Sequence, residues 1–132
     1  MAKATTVRWA DAPSKHDYPA AASYLRLTVD PALLEVLTAR LAQAPTVRQR
    51  AKDILRAARL QLLPADDSEV ARDLRRVAAG KALSPVLLVR GALDLDRPLQ
   101  IADGYHRVCA GYHLAENTWI PCRLVDLPTS TV

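Results

Sequence analysis

With 132 residues the chain has room for one compact unit with a real apolar core, and a second full domain would not fit. Half of the residues are hydrophobic and 24% are charged, which excludes a disordered chain. The formal charge of +4 is carried mainly by arginine, a side chain suited to bidentate contacts with phosphate or carboxylate.

Aromatic residues are scarce: no Phe, two Trp and four Tyr, so the core must come from Leu, Val, Ile and Ala. Residues 1–23 mix Ala, Ser, Asp and Lys around Pro13 and Pro19 without a sustained period, which predicts an irregular arm. The first residues lack the continuous apolar run of a signal peptide, and no stretch approaches the length of a membrane span. A cytoplasmic protein without a membrane partner is expected. "YLRLTV" at 24–29 alternates enough for a short strand or the entry to a helix. Asp30 followed by Pro31 is a helix start, and "PALLEVLTARLAQA" then sets Leu33, Leu34, Leu37 and Leu41 on one stripe. Pro45 breaks that pattern. Thr46 offers a new cap for a second helix, "VRQRAKDILRAARL", with Val47, Ala51, Ile54, Leu55 and Ala58 on its apolar side. Residues 1–59 thus read as an arm and a helical hairpin whose apolar surface also suits a homodimer.

From residue 60 the order reads β, α, β, β, α, β. "LQLLP" at 60–64 is a short apolar run, and "DDSEVARDLRRVAAG" is a helix with caps at Asp67 and Ser68 and a stop at Gly80. "SPVLLVRG" is a buried strand, "LQIAD" the second strand of a hairpin, "YHRVCAGYHLAEN" a helix and "WIPCRLVDL" a final strand. The expected fold is α+β (α/β), a small mixed β-sheet with flanking helices over 60–132, preceded by the hairpin. Cys109 and Cys122 cannot make a disulfide framework; Cys109 reads as a reduced core thiol. Tyr112 and Trp119 are expected in the core or an interface, and His113 is given no chemistry. Zinc spacing, a P-loop and Gly-x-Ser-x-Gly are all lacking in the sequence.

The chemistry concentrates in "IADGYHRV". Asp103 to Arg107 lies where a strand delivers the chain into a helix, whose free N–H groups and positive dipole end attract an anion. Gly104 lets the backbone turn sharply and a ligand come close. His106 and Arg107 occupy the first turn, the wrong end of a helix for cations unless something negative is nearby. Arg107 could grip a phosphate and His106 could donate to it. Asp103 could hold a metal ion, a ribose hydroxyl or the histidine, and Tyr105 could line the pocket or stack on a base. The same residues also admit a purely structural account: Asp103 as a cap, Arg107 paired with Asp66 or Asp67, and His106 satisfied within the turn.

Over about residues 60–126 the chain resembles the ParB/sulfiredoxin-like superfamily, in the order and spacing of "LQLLPADDSEVARDLRRV", "SPVLLVRG", "LQIADGYHRVCAGYHL" and "IPCRLV". The resemblance implies a nucleotide, ATP or CTP, with or without Mg, held against the box, with His106 and Arg107 meeting phosphates. It also implies that the preceding helix completes the pocket through Glu69, Arg72 and Arg76. Departures narrow the reading. Sulfiredoxins place a cysteine where this chain has Tyr105, so repair of sulfinic acids is not expected. Partition ParB proteins carry an arginine-rich box followed by DNA-binding and dimerisation domains, whereas this chain ends at Val132. The free serine kinase branch, with Asp-Gly-His-His-Arg, is closer to "DGYHR" and makes Asp103 a candidate catalytic acid. Three functions follow: a nucleotide-binding protein, a small-molecule kinase or nucleotide hydrolase, and a DNA-associated module that binds nucleic acid through its basic helices.

Overall fold

The computed structural model describes residues 6–128; Met1 to Thr5 of the expected arm lie outside them. The chain forms a small α+β fold with helices on both faces of a mixed four-stranded sheet. In chain order the elements are α1 (Asp17–Leu25), α2 (Pro31–Gln43), β1 (Thr46–Arg50), α3 (Ala51–Ala58), α4 (Ser68–Ala78), β2 (Val86–Val89), β3 (Gln100–Asp103), α5 (Tyr105–Leu114) and β4 (Trp119–Val125). The strands lie in the order β1-β4-β2-β3. β4 runs antiparallel to β1 and parallel to β2, and β3 returns antiparallel beside β2.

β2 explains the layering. All four residues of "VLLV" are buried, because successive side chains of a strand point to opposite faces and here both faces are covered. Val86 and Leu88 join Ile54, Val70, Val108 and Ile120 in one cluster beneath α3, α4 and α5. Leu87 and Val89 join Ala21, Leu25, Leu37 and Leu41 in a second cluster beneath α1 and α2. Among the described residues no helix is long and apolar enough to cross a membrane.

Three local expectations are corrected. Residues 17–25 are a helix, not part of an irregular arm or a strand. Pro19 falls in the first turn, where its missing N–H costs nothing, and Asp17, Ala21 and Leu25 form a buried i, i+4 stripe. No helical hairpin forms, because Thr46–Arg50 pairs with β4 along its whole length and helix begins only at Ala51. The first N–H groups of α3 then donate to the carbonyls of Thr118 (2.9 Å) and Glu116 (3.0 Å). Residues 60–64 form no strand; their carbonyls are held by α5, with the Tyr105 hydroxyl 2.5 Å from Gln61 O and the His113 ring 2.7 Å from Leu63 O.

The remaining elements follow the expected signals. Asp30 caps α2 through the Leu33 N–H at 2.8 Å. α4 ends in a left-handed Gly80, with Lys81 N–H donating to Arg76 O (2.9 Å) and Gly80 N–H to Val77 O (3.0 Å). Cys109 and Cys122 are buried and free, and burial pushes the Cys122 thiol up to about 11. Tyr112 packs against the core, but Trp119 stays 42% exposed, with the Arg50 and Arg48 guanidinium groups 4.0 and 5.2 Å from its ring centre.

Candidate functional site

Between α1, α4 and the start of α5 lies a cleft of about 640 Å³. Its walls hold Glu69, Arg72, Asp73 and Arg76 from α4, and Asp103, Gly104, His106 and Arg107 from the box. His16 and Asp17 come from the N-terminal side, and Ser84 from the loop before β2. Six of the expected pocket residues therefore meet around one space together with Asp103. Tyr105 does not line that cleft; it lines an adjoining depression that shares Asp103, Gly104 and His106 with it, and its hydroxyl anchors the 60–64 segment.

The geometry follows from local sequence. β3 ends at Asp103, and Gly104 turns the chain into α5 with φ 112°, ψ 16°, a conformation strained for any residue with a Cβ. A Cβ there would collide with Val86 and lie 2.8 Å from the Arg107 guanidinium. Gly104 supplies no capping side chain, so the first N–H groups of α5 lack intrahelical partners. α4 is the contrast: the Asp67 carboxylate accepts from Glu69 N–H at 3.1 Å and Val70 N–H at 3.2 Å. Asp67 also stands 3.9 Å from His106 Nε2.

Arg107 is held by the protein itself, and its partners differ from the Asp66 or Asp67 expected from the sequence. One terminal nitrogen lies 2.6 Å from the Asp103 carboxylate and the other 3.3 Å from Asp17, 90 positions away in the chain. The second also donates to the Ser84 hydroxyl, which donates in turn to Asp17 at 2.7 Å; Ser14 N–H completes the Asp17 set at 2.9 Å. Both terminal nitrogens of Arg107 are thus engaged, while its buried Nε finds no partner among the described residues. The misfit of a guanidinium at a helix N-terminus is resolved by two of the protein's own carboxylates.

Burial works to raise the pKa of Asp17, but the Ser84 hydroxyl, the Arg107 charge and the Ser14 N–H outweigh it and hold the carboxyl below its ordinary value. Burial raises Asp103 above its ordinary value despite Arg107, and the neighbouring Asp17 adds to the rise. Asp73 is likewise pushed up by burial, against the charges of Arg107, Arg72, Arg76 and His106.

The α4 wall is less occupied. Glu69, Arg72, Asp73 and Arg76 fall on one helical face. Arg72 pairs with Glu69, whereas Arg76 makes no ion pair among the described residues. Ser14, His16, Asp17, Asp73 and Ser84 are polar pocket residues that the sequence reading missed. The signal for Asp73 was present, because it lies four residues from Glu69 and three from Arg76 on the face already identified. The i, i+4 spacing of Asp17, Ala21 and Leu25 was a weaker clue to Asp17. Among the described residues no group of three or more His, Cys, Asp or Glu side chains could hold a metal ion. Comparison of the chain with protein families, curated proteins and solved structures finds no match.

Proposed function

We propose that the cleft binds the phosphate end of a nucleotide, as the ParB/sulfiredoxin resemblance implies, with the anion at the open N-terminus of α5 between His106 and the α4 arginines. The observation that carries the reading is the convergence on one cleft of a helix N-terminus without a side-chain cap at Gly104, the His106 ring, and Arg76, which has no ion-pair partner among the described residues. Arg107 serves this site by position. Clamped between Asp17 and Asp103, it fixes the first turn of α5 and so aims the backbone N–H groups and His106 into the cleft. Asp103 is engaged 2.6 Å from Arg107 and acts as part of that clamp.

Isothermal titration with ATP, ADP, CTP and GTP, each with and without magnesium, tests the reading. Saturable binding to at least one nucleotide is expected, weakened about tenfold in Arg76→Ala, because a charge-assisted contact contributes on the order of 1.5 kcal/mol. Folded protein that shows no binding to any of them would overturn it.

A further inference from the structure

Asp73 stands in the middle of the α4 wall, only 8% exposed, and lines the cleft. Among the described residues no N–H or O–H group donates to its carboxylate. Its oxygens are not sealed off but open onto the cleft, so the donor that most buried acids find within the protein can here come from a bound molecule. The guanidinium groups of Arg72, Arg76 and Arg107 act on it through space without bonding to it, and they make the adjoining space unfavourable for a further cation. A phosphate oxygen cannot satisfy it either, because both are acceptors. The group that fits is a neutral donor, and the cleft is large enough for one to lie beside a phosphate held at α5.

We propose that Asp73 accepts a hydrogen bond from a sugar hydroxyl of the phosphorylated ligand, so that the cleft selects ribonucleoside phosphates over analogues without those hydroxyls. This rests on the cleft being a phosphate site. A site built around a buried acceptor rejects a ligand lacking the matching donor, because the acceptor is then left unpaired.

Equilibrium binding of ATP, CTP and GTP, each beside its 2′,3′-dideoxy counterpart, and of tripolyphosphate, separates the two readings. The wild-type protein is expected to bind at least one ribonucleotide about tenfold or more tighter than its dideoxy partner. In Asp73→Ala that ratio should fall to near one. Affinity for the dideoxy compound and tripolyphosphate should stay within about threefold of wild type, a bound below one charged hydrogen bond. Asp73→Asn, which keeps the shape and a weaker acceptor, should lie between, with thermal melts confirming that both variants fold. Equal binding of the ribo and dideoxy forms by wild type, or an unchanged ratio in Asp73→Ala, would overturn the role of Asp73 and leave the phosphate site standing. Failure of every nucleotide and of tripolyphosphate to bind would overturn both.

Discussion

Arg107 and Arg76 face the same cleft from different walls and have opposite surroundings. On the α5 wall, Arg107 bridges Asp17, Ser84 and Asp103, joining residues from the N-terminal helix, the loop before β2 and the end of β3. On the α4 wall, Arg76 has no ion-pair partner and Asp73 no donor among the described residues. Charge alone does not distinguish them, since all are ordinary Arg and Asp side chains beside the same opening. What differs is how far the protein itself engages them: both terminal nitrogens of Arg107 are bonded within the described residues, although its Nε is not. The Arg107 clamp behaves as framework, and the α4 wall together with the uncapped N–H groups of α5 is where a ligand can contribute energy.

That contrast can be broken most forcefully at Arg107. Arg107→Ala leaves Asp17 and Asp103 facing each other without their shared cation, and a loss of about 3 kcal/mol or more in unfolding free energy is expected by denaturant titration. A loss near zero would mean that the clamp is not structural. Gly104→Ala should follow, destabilising by roughly 1–3 kcal/mol through the positive φ and the collision with Val86.

Asp17→Asn sharpens the comparison through pH. Because the folded-state pKa of Asp17 lies below 3.8, its ionised form stabilises the fold at all pH values above that, and the contribution fades as pH falls through the folded value. The gap between wild type and variant should therefore be widest at neutral pH, about 1–3 kcal/mol, and narrow below pH 4. On the other wall the sign reverses. Burial raises the pKa of Asp73, so the folded state gains from its protonation and loses that gain as pH rises through the raised value. Asp73→Asn should consequently be as stable as wild type at neutral pH, or more so. The smallest effect is expected for Arg76→Ala, within about 0.5 kcal/mol in stability, as for surface side chains without partners.

The legible parts of the sequence were those set by local rules. Asp30–Pro31, Asp67 and Gly80 mark helix ends through caps that act within four residues, and "VLLV" between turn signals is long enough only for a strand. The parts that misled depend on distant partners. Residues 46–50 carry arginine and glutamine that suit a helix, and only pairing with β4, some seventy positions on, makes them a strand. "LQLLP" resembles a strand but has no neighbour to pair with. The box was legible as a cluster, and so was the α4 face opposite. That Arg107 would be claimed by Asp17 was not, because that contact exists only once α1 is laid across β3.

The strand order also carries a consequence for biosynthesis. β4 is made after the other three strands, yet it occupies the gap between β1 and β2. A nascent chain that has emerged only as far as α5 can form the β2–β3 hairpin, but its first strand has nowhere to dock. Sheet completion must wait until residues 119–125 clear the ribosome.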